Sequence, residues 1–135
     1  MEELKNSTDA ITIINAMGTV LFWNSGATDL FGFESNEMVG EKLTKIMPER
    51  HQKEHIHAVK EWTPKSPRFC VLDGEKGLFG KKKDGTEFPV KIYSLEFQFN
   101  GQPHFLGIMR NTFVEEAVIG EMSLLSKKMK SIIDE

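Results

Sequence analysis

At 135 residues the chain has the length of one ordinary domain, and its 39% hydrophobic and 27% charged residues are those of a soluble globular protein. The net charge of −3 gives no electrostatic reason to bind nucleic acid or membrane, no apolar run approaches a bilayer span, and Glu2, Glu3 and Lys5 after Met1 are not the start of a secretory leader. The single cysteine, Cys70, excludes an internal disulfide framework and fits a reducing cytoplasm.

From Ala10 to Asn24, the β-rich runs "ITII" and "TVLFW" flank "NAMG", whose glycine supplies a turn, so the chain is predicted to open with a hairpin. The period then changes. In "SGATDLFGFESNEMVGEKLTKIMPERHQKEHIHAVKEW" the apolar residues fall at helical spacings in pieces punctuated by Gly32, Gly40 and Pro48, which predicts several short helices with Ser25 and Ser35 as N-caps. The proline-bearing "TPKSPR" ends the last of them. Runs rich in β-branched and aromatic residues follow, broken by the turn pairs Asp84-Gly85 and Asn100-Gly101, and predict three more antiparallel strands. In the middle strand the apolar set passes from Val90 and Ile92 to Leu95, Phe97 and Phe99 on the opposite parity, so a bulge or strong twist is expected near Ser94. The order describes an α+β domain, a five-stranded antiparallel sheet with short helices on one face. In the tail, Val118, Met122, Leu125, Met129 and Ile132 are spaced 4, 3, 4 and 3, the seam of a heptad helix that would pair with a second copy; packing on the chain's own sheet is the alternative.

"GTVLFWNSGATDLFGFESNEMVGEKLTKIMPERH", "KKKDGTEFPVKI" and "FLGIMRNT" stand in the order and spacing of a PAS domain, the sensory module of many bacterial kinases, and the chain resembles that family over residues 9–112. Residues 1–8 then form an extension, and residues 113–135 a signalling and dimerisation helix. Two positions depart from the family pattern: Asn15 stands for an aspartate in the first turn, and Asn111 for the aspartate that follows the final-strand arginine. The resemblance implies a cupped sheet enclosing a ligand pocket, with output through the C-terminal helix. The expected lining is apolar: Ile13, Phe22, Leu43, Ile46, Val59, Trp62, Val71, Val90, Ile92, Leu106 and Ile108. Asn24 is assigned to a structural hydrogen bond at the strand-to-helix turn.

Three of the four histidines lie in "HQKEHIH", residues 51–57. His51, Glu54 and His55 spell H-x-x-E-H, an inverted zinc-protease motif with two imidazoles one helical turn apart, but the chain has no second lobe to hold a peptide, which leaves a small zinc metallohydrolase as a remote alternative. In helical projection His51, His55 and Trp62 share one face, while His57 points away. In the haem-binding PAS domains of FixL-type oxygen-sensing kinases, the iron ligand is the histidine of M-P-E-x-x-x-x-E-H, and Met47-Pro48-Glu49 with Glu54-His55 reproduce it. The resemblance thus implies His55 as a haem iron ligand. Two departures oppose haem: Glu61 stands where the family has a basic residue, and Lys76 is nearest the place of the arginine that meets bound oxygen. A histidine that is structural, or that serves another ligand, is the other reading. Cys70 follows the long helix instead of preceding it, which excludes the covalent flavin chemistry of light-oxygen-voltage domains.

The expectation is a non-enzymatic, cytoplasmic sensory and dimerisation module, a homodimer feeding an effector domain C-terminal to Glu135 in the same polypeptide, such as a histidine kinase or cyclase. Neither nucleic acid nor membrane is an expected partner.

Overall fold

The computed structural model describes residues 5, 8–53, 69–72 and 77–133, with residues 113–119 described as backbone. Among these, β1 (Ala10–Ile14) and β2 (Val20–Trp23) form the opening hairpin. Asn15 shapes its loop: the side-chain Oδ1 accepts the N–H groups of Met17 and Thr19, each at 3.0 Å, and Gly18 takes a φ of 80°. Helices α1 (Ser25–Phe31) and α2 (Ser35–Met38), a 3₁₀ turn (Leu43–Ile46) and the helical residues 49–53 follow. The second half contributes β3 (Phe69–Leu72), β4 (Phe79–Lys81), β5 (Glu87–Phe99), β6 (Gln102–Asn111) and the 22-residue helix α3 (Thr112–Ile133).

The strands form one antiparallel sheet in the order β2-β1-β6-β5-β3. The run expected as a single strand after the proline segment is two short strands. The 13-residue β5 is long enough to pair with both along one edge, β4 against Glu87–Pro89 and β3 against Ile92–Leu95. Both glycine turns form hairpins. Asn100 and Gly101 have φ of 52° and 74°, the left-handed pair of a two-residue loop, and Phe99 faces Gln102 across it. The bulge expected near Ser94 does not exist, because β5 and β6 stay in unbroken register from Val90–Asn111 to Phe99–Gln102. Leu95, Phe97 and Phe99 occupy the other face of the sheet, where the rings of Phe97 and Phe99 pack on His104 at 5.6 and 5.5 Å. The irregularity lies instead in β1, between Ile13 and Ile14.

The core lies between the inner face of the sheet and the short helices. Ala10, Ile14, Val90 and Met109 meet Trp23, Phe31, Met38 and Ile46 there. Phe31 is central, with its ring 5.6 Å from Trp23 and 5.4 Å from Phe88. Gly80 lets β4 approach this pair: a Cβ there would stand 2.9 Å from both phenylalanine rings.

Both expected N-caps fall one residue early. Asn24 caps α1, its Oδ1 accepting the Ala27 N–H at 2.9 Å, and Glu34 caps α2 in a reciprocal capping box with Glu37. Asn24 also reaches beyond its helix. The same oxygen accepts the Ile11 N–H at 2.8 Å, and Nδ2 donates to the Asp9 carbonyl at 2.9 Å. Because Asn24 is only 1% exposed, its truncation strands buried backbone groups. We expect Asn24→Ala to lose about 2–4 kcal/mol of unfolding free energy in urea. A loss under about 1 kcal/mol would mean that water replaces the amide.

Candidate functional site: a cavity beneath the sheet

Between the inner face of the sheet and the segment after the 3₁₀ turn lies a cavity of about 250 Å³. Its floor is sheet: Val90 and Ile92 from β5, Met109 from β6 and Leu72 from β3. Its roof is Leu43, Ile46 and Met47, and its sides are Phe31, Leu78, Phe79 and Gly80. His51 completes the wall, the single lining residue with a polar side chain among the described residues.

His51 is positioned by its neighbours on both sides. Its N–H donates to the Pro48 carbonyl at 2.9 Å as the helix begins. Gln52 donates from Nε2 to the carbonyls of Thr44 and Met47, both at 3.1 Å, fastening the helix start to the 3₁₀ turn. Arg50 forms a 2.7 Å ion pair with Glu87 of β5 and lies over the Phe79 ring at 5.2 Å. The imidazole of His51 lies nearly parallel to the same ring, 5° between planes at 6.4 Å. Its Nε2 is buried and has no hydrogen-bond partner among the described residues.

Of the residues expected to line a pocket, Leu43, Ile46, Val90 and Ile92 do so. Register places Val71 opposite Tyr93, Leu106 opposite Ile13 and Leu95, and Ile108 opposite Ile11 and Tyr93. Paired residues share a face, so Val71, Leu106 and Ile108, with Ile13 and Phe22, lie on the face away from the cavity. The β6 contribution is Met109 instead. His55, Val59, Trp62 and Lys76 lie outside the described residues. The lining that sequence reasoning missed is Phe31, Met47, His51, Leu72, Leu78, Phe79, Gly80 and Met109. His51 carried a usable signal, its place on the same helical face as His55. Among the described residues, no three His, Cys, Asp or Glu side chains stand close enough to hold a metal ion. Cys70 is exposed, on an edge strand.

The chain matches the family described as PAS domain over residues 8–112. The protein belongs to the PAS family. Among curated relatives it is 29% identical over 103 residues to "Sensor protein FixL" of Bradyrhizobium diazoefficiens, covering 76% of this chain and 20% of that protein. It is 23% identical over 105 residues to "Oxygen sensor protein DosP" of Escherichia coli K12, covering 78% of this chain and 13% of that protein. This chain thus spans a fifth or less of those relatives. Among solved structures, the PAS domain of an HTR-like protein from Haloarcula marismortui superposes with a TM-score of 0.67 at 19% identity, over 81% of this chain and 85% of that one. A PAS domain from Desulfitobacterium hafniense also gives 0.67, at 21% identity, over 82% and 99%. As in those structures, the PAS fold here is an antiparallel sheet with several helices. Among the described residues, no helix is long and apolar enough to cross a membrane.

The ion pair at the cavity wall has a measurable signature. The hydrogen bond from Arg50, supported by the charges of Arg50 and Lys81, holds the Glu87 carboxyl below its ordinary value. A carboxylate lowered on folding contributes stability that is present above its unfolded pKa and is lost as pH falls through the folded one. In a carbon-detected NMR titration, Glu87 should therefore titrate below the ordinary glutamate range, and Arg50→Met should return it toward that range. A midpoint indifferent to Arg50→Met would remove Arg50 as the cause.

Proposed function

We propose that this PAS domain is a non-enzymatic sensory and dimerisation module of a bacterial signalling protein: a ligand fills the cavity beneath the sheet, and α3 carries the change to an effector. One observation supports this reading above the others. The cavity floor is continuous with the output helix. Met109 lines the cavity two residues before β6 ends at Asn111, and α3 begins at the next residue, Thr112. Val90, also in the floor, pairs with Asn111, and the Thr112 hydroxyl donates to the Pro89 carbonyl at 3.3 Å. An occupant that displaces Met109 or Val90 therefore acts on the backbone that sets the start of α3, and a ligand with different affinities for two such arrangements shifts their balance.

Haem held by His55 is the leading specific occupant, in keeping with the M-P-E-x-x-x-x-E-H spacing and with relatives named as sensors. The apolar lining suits the body of a flat macrocycle, and among the described residues no lysine or arginine lines the cavity to meet propionates. Bound haem would supply an iron able to take up a diatomic gas. The cavity volume and the unpartnered His51 nitrogen favour a second reading, a smaller apolar ligand without iron. An absorption spectrum of protein reconstituted with haem separates the two. A sharp Soret band that shifts with carbon monoxide and vanishes in His55→Ala supports the gas sensor. A spectrum unaltered by that substitution excludes it and leaves the smaller ligand.

Output through a homodimer rests on the surface of α3. Met122, Leu125, Met129 and Ile132 are 57–69% exposed in the single chain, an apolar stripe at heptad spacing without a covering element among the described residues. The heptad spacing of the sequence adds Val118 to the seam, and a second copy would supply matching knobs. An effector domain C-terminal to Glu135 and a cytoplasmic site of action complete the proposal. Leu125→Asp places a charge in the seam and should convert the native dimer to monomer in sedimentation equilibrium. An unchanged dimer would move the contact elsewhere, to the sheet or the N-terminal residues.

A further inference from the structure

The cavity has a chemical asymmetry. Apart from His51, every side chain that the described residues bring to its lining is hydrocarbon or thioether, or is absent at Gly80. The single exception presents a buried nitrogen, Nε2, that has no hydrogen-bond partner among the described residues. Leaving a buried polar atom unpaired is unfavourable, and native structures rarely do so without a reason in function or solvent. Among the described residues water is poorly served here, because a buried water typically makes about three hydrogen bonds and the rest of the described lining offers it no polar side chain. Nor is the imidazole loosely held. The Gln52 and Arg50 contacts fix the first turn of its helix, and Phe79 lies parallel to its ring. A leucine or phenylalanine at this position would close the wall at no polar cost.

Resting on the smaller-ligand reading above, we infer that His51 is the polar anchor for a small, largely apolar ligand with one hydrogen-bonding head group, of the chemical class of phenols. The head group meets Nε2, which as one face of an imidazole either accepts from a hydroxyl or donates to its oxygen, according to tautomer. The body lies against Val90, Ile92 and Met109, the side chains nearest the start of α3. His51 thereby selects for the head group, and the sheet detects the body. The Arg50–Glu87 ion pair places the helix start that carries the anchor beside β5, which supplies part of the floor.

The test compares phenol with toluene, which share a shape and differ by the hydroxyl. Each is titrated into the full chain and into His51→Phe, which retains an aromatic ring beside Phe79 but removes the nitrogen. Affinities come from methyl shifts of Ile92 and Met109, and the His51 ¹⁵Nε2 resonance reports the hydrogen bond. The preference for phenol over toluene should be roughly three- to tenfold greater in the native chain than in His51→Phe, the size of one net hydrogen bond. Phenol, and not toluene, should move the ¹⁵Nε2 signal. His51→Leu repeats the comparison if the phenylalanine variant does not fold. Equal preference in native and variant proteins, with both compounds bound, overturns the anchor and leaves the cavity reading standing. If neither compound moves the Ile92 or Met109 methyls, the cavity reading fails and the anchor fails with it.

Discussion

The amide of Asn24 is the junction on which the architecture depends. One oxygen accepts from the strand at Ile11 and from the helix at Ala27, while the nitrogen donates to the carbonyl of Asp9. A side chain with an acceptor and a donor on one planar head is required, since an aspartate would lose the donation and a leucine would lose all three bonds. The consequence extends to the core. By fixing where β2 stops and α1 begins, Asn24 sets the direction in which Phe31 enters the interior, and Phe31 lines both the core and the cavity.

The sheet does two jobs with its two faces, and the division explains why the cavity exists. The inner face packs tightly where Trp23, Phe31 and Phe88 meet, and Gly80 allows the backbone of β4 against the last two. Past Gly80, the short β4 and β3 share one edge of β5, against Glu87–Pro89 and Ile92–Leu95. The space beside that edge is lined by Leu72, Val90, Ile92 and Met109 and closed by the helix start that carries His51. A cavity built this way sits against the strands that lead out of the domain, so occupancy and output are neighbours through two residues of β6.

The polar contacts around the cavity are graded by exposure. Arg50 and Glu87 are half exposed, so their pairing locates the helix start more than it stabilises the fold. His51 is the reverse case, a buried nitrogen without compensation that invites a partner.

Much of this was legible in the sequence because local chemistry dictates it. The glycine turns at Asp84-Gly85 and Asn100-Gly101 specify hairpins whatever surrounds them, and the Asn15 loop, the short helices and the heptad tail follow from spacing. Even the cap errors are local, since Asn24 and Glu34 supply side-chain acceptors as serine does. What sequence left undetermined is the parity of β6. Phe105, Leu106, Ile108 and Met109 are apolar on both alternations, so a period of two cannot say which pair faces inward. Pairing with β1 decides it: Met109 meets Ala10 and Phe105 meets Ile14 on the core side, while Leu106 and Ile108 meet Ile13 and Ile11 on the other. The isolation of the His51 nitrogen is equally a tertiary fact. A sequence places an imidazole on a helical face, but whether it finds a partner depends on what β4 and β5 bring opposite it, and here they bring hydrocarbon.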